Sequence, residues 1–271
     1  MADKTWIGTT GDYSAAANWS PANAPVNADN VRIPVGSGTI TSGLDQSAVT
    51  LGDFIVEPGY SAAIASASAN LKIVCTRFIY HGTGLAYIDI QGSTIAPQIH
   101  ATASAQTGKR GLYLIGSAMT TLNVMSGSVG VAQRFGETST VATVRCVGSN
   151  ASVWCGAGTS LTTFYQDAGN SVIRCAATTV TCHGGTITTQ ESGAITTLDM
   201  DAGTVKPQST GTITTVTCDG GELDFTGSSA ARTVTNLRLN PPGTLKYGPA
   251  YVTITNWTAP SDPITLTASR P

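Results

Sequence analysis

Residues 177–187, 195–205 and 213–223 read ATTVTCHGGTI, ITTLDMDAGTV and ITTVTCDGGEL. Each contains the same phrase: an apolar residue, two threonines, an apolar residue, a variable residue, a second core-type residue and a turn that ends in glycine. Copies begin sixteen to twenty-two residues apart, at Met119, Val141, Leu161, Ala177, Ile195, Ile213 and Val234. The repetition decides the fold, because so short a unit cannot bury its own apolar face and must share a core with its neighbours.

The repeat favours strands over helices. Apolar residues alternate over short runs rich in Thr, Val and Ile, whereas a helix needs them every three to four positions over a longer stretch. In register, the copies form two columns, which hold Leu122, Val144, Phe164, Val180, Leu198, Val216 and Leu237, and Val124, Cys146, Gln166, Cys182, Met200, Cys218 and Leu239. The repeat predicts an all-β fold, a single-stranded parallel β-helix in which each coil pairs with the next and rises by about 4.8 Å. The helix should be right-handed, because parallel crossovers generally are.

The sequence predicts that the chain has three parts. Residues 1–30 do not follow the phrase and carry Trp6 and Trp19, so we interpret them as an N-terminal cap over the open end of the core and its unpaired strand edge. Residues 31–250 are the predicted β-helix, and residues 251–271 are a short C-terminal capping strand and tail. An alternative role for the two tryptophans is insertion into a partner protein.

The run W-I-G-T-T-G-D-Y-S-A-A-A-N-W-S-P-A, followed by P-V-N-A-D-N-V-R-I, resembles the opening of many bacterial and phage-encoded β-helix proteins. That class includes virion decoration and spike proteins and autotransporter-like surface solenoids. The resemblance covers residues 6–33 alone. It implies a cap followed by a solenoid and implies no activity.

The composition limits the partners. Charged residues are 11% of the 271 residues and the net charge is −2, with Lys109-Arg110 the only adjacent basic pair, so we expect no nucleic-acid partner. No apolar run is long enough to span a bilayer, and the first residues lack the basic and apolar regions of a secretion signal. The sequence therefore predicts no membrane partner and assembly in the host cytoplasm rather than export.

The six cysteines mostly occupy apolar positions of the repeat, which predicts free, buried thiols. Cys146, Cys182 and Cys218 share a column but lie two coils apart, roughly 10 Å, too far for a disulfide. Cys155 and Cys175 lie at equivalent positions of adjacent coils, and the sequence leaves open whether they are bonded. No Cys/His spacing matches a zinc site, and no metal or other cofactor is predicted.

A polar column six residues after each coil start is the strongest candidate for chemistry. It holds Asp167, His183, Asp201 and Asp219, about 5 Å apart on the outer face. Stacked carboxylates could form a glycosidase-like pair or a calcium site. Each of these residues stands shortly before a glycine, however, where Asp accepts hydrogen bonds from turn amides. Turn capping is the interpretation that we favour.

In the two coils before Asp167 the same column holds Met125 and Val147. Exposed apolar side chains favour a protein contact, so these two residues are possible partner contacts. The paired threonines should stack into ladders, with one threonine of each pair facing inward. Strand propensity accounts for these ladders, although a flat threonine array could also bind ice or sugars.

No G-x-S-x-G, H-E-x-x-H or P-loop sequence occurs in the chain. We therefore predict a non-enzymatic structural protein of a tailed-bacteriophage virion, most economically a capsid decoration or cement protein. It should form a homotrimer and bind the major capsid protein or another virion protein. The first alternative is a tailspike or fibre domain that binds or cleaves host polysaccharide through the face between Asp167 and Asp219. The second is a bacterial surface adhesin.

Overall fold

The computed structural model describes residues 2–92, 94–102, 110–227, 230–247 and 251–258, together with the backbone of Leu266–Ala268. In this part of the chain, parallel strands from successive coils stack as a β-solenoid of about 11 turns. One short 3-10 helix, Ala16–Asn18, is the only helix among the described residues. The predicted all-β parallel solenoid is confirmed.

The strands form two long faces of the solenoid. In chain order they are β1 Asp3–Trp6, β2 Trp19–Ser20, β3 Asn30–Ile33, β4 Asp45–Val56, β5 Leu71–Tyr80, β6 Ala86–Ile90, β7 Gln98–Ile99, β8 Leu112–Gly116, β9 Met119–Val124, β10 Gly127–Val131, β11 Ser139–Cys146, β12 Ala151–Cys155, β13 Thr159–Gln166, β14 Asn170–Ile173, β15 Ala177–Cys182, β16 Thr186–Thr189, β17 Ile195–Met200, β18 Thr204–Pro207, β19 Ile213–Cys218, β20 Glu222–Asp224, β21 Arg232–Leu239, β22 Thr244–Tyr247, β23 Val252–Thr258 and β24 Leu266–Ala268. The first face contains the odd-numbered strands from β7 to β23, and the second contains the even-numbered strands from β6 to β24. β5 turns the corner between them, because its start pairs with β6 and its end with β7.

The register of the first face is the one that the repeat predicts. Val144 pairs with Leu122 on one side and with Phe164 on the other. The column continues to Leu237, and the second column runs from Val124 to Leu239 in the same way. Every member of both columns is at most 1% exposed. Stacked side chains therefore form a continuous core between the two faces.

The paired threonines differ from the prediction. In β15, β17 and β19 the first threonine of each pair is exposed and the second is half-buried, so neither faces the core. The pairing register includes Thr179 with Thr197 and Thr197 with Thr215 but passes over the preceding threonine of each coil. Two outward residues in succession break the alternation of a straight strand. Each coil therefore bends at its first threonine.

The solenoid begins earlier than residue 31. Asp3, Lys4 and Thr5 of β1 pair in parallel with β3, so β1 is already a rung of the first face. The predicted boundary is wrong because the first rung precedes the capping residues in the chain. β2 runs antiparallel along the other edge of β1. It covers the strand edge that a cap is expected to cover.

Trp6 and Trp19 lie in the core of the cap. Their ring centroids are 5.1 Å apart, and Tyr13 lies 4.7 Å from Trp19. Both indoles are at most 1% exposed, and their N–H groups donate to the carbonyl oxygens of Gly38 and Tyr13 at 2.9 and 2.7 Å. The alternative in which these tryptophans insert into a partner is wrong, since neither side chain reaches the surface.

Buried Asn18 explains the polar residues of the G-D-Y-S-A-A-A-N-W segment. Its Oδ1 accepts hydrogen bonds from the backbone N–H groups of Thr9 and Thr10, at 2.8 and 3.0 Å, and from the Thr9 hydroxyl. Its Nδ2 donates to the Thr10 hydroxyl and to the carbonyl of Asp12, both at 2.7 Å. A buried amide satisfied in this way fixes the turn that precedes Trp19.

The described residues beyond 250 continue the solenoid. β23 pairs in parallel with β21, and the backbone of β24 pairs with β22. Trp257 pairs with Leu237 and keeps 37% of its surface exposed. The predicted capping strand thus adds a rung to the sheet, and the remaining residues of the predicted tail lie outside the described part of the chain.

All six cysteines are buried and free, as predicted, and Cys155 and Cys175 are not bonded to each other. Burial raises the pKa of Cys146, Cys182 and Cys218 to about 11. It raises the pKa of Cys175 to about 12. The thiolate, which is the reactive form, is therefore suppressed at neutral pH.

We expect Ellman's reagent at pH 8 to detect no rapidly reacting thiol in the native protein and six thiols after unfolding in guanidinium. Both the burial and the raised pKa values of the cysteines oppose reaction of the folded state. A Thr196→Cys variant, which places a thiol at an exposed position, should react at once and serves as the control. Rapid reaction of two or more native thiols would contradict the buried columns.

Candidate functional site

The polar column is longer in the structure than in the prediction. Val56, Tyr80, Ile99 and Val124 occupy successive coils in one register. The residue after each therefore falls in the same outward column as Asp167 and His183, and its backbone N–H donates to the coil before. This edge column holds Glu57, His81, His100, Met125, Val147, Asp167, His183, Asp201, Asp219 and Asn240. It contains all three histidines of the chain.

At the C-terminal end of the edge column, each aspartate has its own polar neighbour. Asp201 Oδ2 lies 2.8 Å from His183 Nδ1, and Asn240 Nδ2 donates to Asp219 Oδ1 at 2.5 Å. Asp167 is 3.4 Å from a guanidinium nitrogen of Arg145. Asp201 and Asp219 occupy neighbouring rungs, but Asp201 bonds to a residue of the preceding coil and Asp219 to a residue of the following coil. The four predicted residues are brought together as a line of separately partnered groups on the surface. The favoured interpretation of turn capping is wrong for the described aspartates, because their carboxylates bond to these side chains and not to turn amides.

Two histidines that the sequence left without partners form a stacked pair. The rings of His81 and His100 are 4.3 Å apart and nearly parallel. Partial burial, and then the neighbouring His100, lower the pKa of His81. On the other side of His81 in the column, Glu57 is engaged 3.5 Å from Arg32. The stack therefore disfavours a proton on His81.

Between the histidine pair and the aspartates, the edge column is apolar. Met125 is 37% exposed and Val147 is half-buried. These positions match the prediction of outward apolar side chains. Their role as partner contacts stays a prediction.

A ladder of aromatic and arginine side chains on the second face was missed by sequence reasoning. Tyr87 and Tyr113 pair across adjacent coils and stack at 4.7 Å. The next coil presents Gly130 in this column and the one after it Trp154. Arg110 passes over the glycine, where a Cβ would lie 3.2 Å from its side chain, and places its guanidinium 3.7 Å from the Trp154 ring.

A loop at the end of the second face carries the most exposed hydrophobic side chain. Residues 132–138 connect β10 to β11, whereas only residues 156–158 connect the equivalent strands of the next coil. We call residues 132–138 the Phe135 loop. Phe135 is 108% exposed, more than any other large hydrophobic residue of the described chain. The four additional residues leave the coil instead of disturbing the columns.

Beside this loop lies a surface groove of about 880 Å³, lined by Asp89, Gln91, Ser117, Glu137, Ser139 and Ser160. Asp89 Oδ2 accepts a hydrogen bond from Gln91 Nε2 at 2.9 Å, and Glu137 Oε1 accepts one from Arg134 Nε at 2.6 Å. Its lining mixes polar and apolar groups, with Ile115 and several glycines beside the two carboxylates. It lies away from the face that the sequence indicated for polysaccharide.

Comparisons with protein-family models, curated proteins and solved structures found no match. In the part of the chain that the structure describes, no three His, Cys, Asp or Glu side chains are grouped so that they could hold a metal ion. Nor does any helix there have the length and apolar character needed to cross a membrane.

We expect the NMR titration midpoint of His81 to lie below the ordinary imidazole value of about 6.5, because the pKa of His81 is lowered. His100→Gln should raise the midpoint by removing the neighbouring charge, whereas His183→Gln, remote in the same column, should not. Unfolding restores the ordinary pKa of His81. The free energy of unfolding should therefore decrease as the pH falls from the ordinary pKa towards the lowered pKa of the folded state, and His81 should not affect it above the ordinary pKa. A midpoint at or above the ordinary value would contradict the stack.

Proposed function

We propose that this protein is a non-enzymatic structural component of a tailed-phage virion, most economically a homotrimeric decoration or cement protein bound to the major capsid protein. The observation that carries the proposal is the edge column. Its aspartates are engaged by His183, Arg145 and Asn240, whereas glycoside hydrolysis uses a pair of carboxylates that flank one bond. The resemblance of residues 6–33 to phage and bacterial solenoids supports the phage class.

The physical role would be to lower the free energy of the assembled shell. A protein that binds the lattice and not its separated subunits stabilises the lattice by mass action. Specific interfaces of this kind bury about 1,200–2,000 Å² in total. A solenoid suits the task because rung-to-rung hydrogen bonds and a continuous core keep its surface in one shape. With 11% charged residues, shape and apolar contact dominate over long-range attraction.

Under this proposal the protein is located in the virion after assembly in the host cytoplasm. We expect quantitative mass spectrometry of purified particles of the encoding phage to find this chain in a fixed ratio to the major capsid protein, as a symmetric shell requires. Its removal by gene deletion should lower the temperature at which filled heads release DNA, and added protein should restore it. A copy number that follows the tail proteins, or absence from the particle, would contradict the decoration role.

The groove beside the Phe135 loop favours a second candidate, a tailspike or fibre domain that binds or cleaves host polysaccharide. Asp89 and Glu137 line it together with serine hydroxyls, and such groups hydrogen-bond sugars. We expect no reducing ends to be released from host capsule or lipopolysaccharide. Release by the wild type that Asp89→Asn abolishes and the exposed control Asp201→Asn retains would establish the second candidate in place of the first.

A further inference from the structure

We propose that the Phe135 loop is the anchor by which this chain grips a protein partner, with Phe135 inserted into an apolar pocket of that partner. The inference rests on the proposed function, because it assumes that the chain binds another virion protein. It adds the residue that makes the contact and the chemistry of the surface that receives it. This anchor does not involve Met125 or Val147, the partner contacts that the sequence suggested.

Exposure alone does not make Phe135 an anchor, since single exposed apolar residues are common on protein surfaces. The other large hydrophobic side chains that the structure describes as exposed retain between 37 and 64% of their surface, whereas Phe135 retains 108%. Its ring therefore has no apolar support from the rest of the chain. What distinguishes it further is the rigidity of the loop that displays it.

Arg134 ties the loop to distant parts of the chain. Its guanidinium donates to the carbonyl of Ala67 and, at 2.8 Å, to Asn70 Oδ1. Within the loop, its Nε donates to Glu137 Oε1 at 2.6 Å and its backbone N–H to Glu137 Oε2 at 2.9 Å. The same guanidinium lies 5.1 Å from the centre of the Tyr87 ring. Arg134 and Glu137, which lie before and after the tip of the loop, are thus held in place.

The next coil provides a seat for the loop. A Cβ at Gly156 would lie 1.9 Å from the carbonyl oxygen of Ala132, and one at Gly158 would lie 1.9 Å from that of Glu137. Only glycine permits this close approach of two backbones. A loop held at both of its ends loses little conformational entropy on binding. A preorganised contact is stronger for that reason.

The charges around Phe135 favour a protein over a polyanion. Arg134 is paired with Glu137 inside the loop, and Arg174, which lines the adjoining depression, lies 2.8 Å from Glu191. An anionic glycan, a nucleic acid or an anionic membrane would be bound through cations that lack such partners. A protruding aromatic ring inside a rim of paired charges matches the centre of a protein interface, where aromatic and arginine residues supply most of the affinity.

The test uses phage particles that lack this gene product and purified protein added back, with binding measured by co-sedimentation at 50 and 500 mM NaCl. We expect Phe135→Ala to weaken binding by about 30-fold or more, as for an interface hot spot. Val35→Ala, which truncates another exposed hydrophobic side chain, 64% exposed, should change binding by less than about 3-fold. Wild-type affinity should change by less than about 3-fold between the two salt concentrations.

Arg134→Ala leaves the phenyl ring in place and removes the brace, so it should weaken binding by about 5- to 10-fold through the added cost of ordering the loop. Circular dichroism and thermal melts of all three variants establish that they are folded. Unchanged affinity of the Arg134 variant would overturn preorganisation. Arg134→Ala should weaken binding less than Phe135→Ala does, because Arg134 positions the loop whereas Phe135 contacts the partner.

The outcomes separate the two proposals. If the wild type does not bind the particles, the proposed function fails. If the wild type binds and Phe135→Ala binds equally well, the anchor is overturned and the proposed function stands. Steep loss of binding at high salt, or Phe135-dependent binding to phosphatidylglycerol vesicles, would overturn the choice of a protein pocket. Conversion of an oligomer to a monomer by Phe135→Ala in sedimentation equilibrium would identify a second copy as the occupant and overturn the proposal as well.

Discussion

Parallel pairing between neighbouring coils is the constraint on which the rest of the molecule depends. Each inward side chain lies against the side chain at the same position of the next coil, so a column accepts only residues that fit between two neighbours. Gln166 shows the limit. This one amide in an apolar column is fully buried and is satisfied locally, because its Oε1 accepts from the Ser171 hydroxyl at 2.6 Å and its Nε2 donates to the carbonyl of Ala168.

The same pairing lines up whatever the outward positions carry. Along the edge it places His81 on His100 and His183 beside Asp201, and on the second face it stacks aromatic rings and arginines. Register alone accounts for such alignments, because it places each aspartate beside the side chain that the neighbouring coil carries in the same column. Apart from the register shift between Asp45 and Thr50 in β4 and one residue fewer between Ile95 and Ile99, variation in chain length falls at the corners, since an extra residue within a strand would shift every later side chain to the other face. The Phe135 loop occupies such a corner.

Sequence periodicity predicted the two core columns, the free thiols and the exposed position of Met125, because each depends on a residue's place within one repeat. It did not predict that β1 is the first rung, since pairing of Asp3 with Asn30 leaves no periodic trace. The burial of Trp6 and Trp19 was missed for the same reason, because it depends on the pairing of β1 with β2. His81 could have been placed in the edge column, because Cys75, Phe78 and Tyr80 repeat the apolar spacing of the phrase. His100 could not, because the segment from Ile95 to Ile99 is one residue shorter than the phrase. The path of Arg110 over Gly130 has no such signal.

Distances along the solenoid test the register most directly. Spin labels on Thr121→Cys and Asn236→Cys occupy one outward column six coils apart, which corresponds to roughly 29 Å at about 4.8 Å per coil. The native cysteines are buried and should remain unlabelled. Double electron–electron resonance should give one narrow distribution, shortened by roughly 10 Å when the first label is moved to Thr163→Cys, four coils from Asn236. A distance that does not shorten on this move would contradict the stacking of the coils.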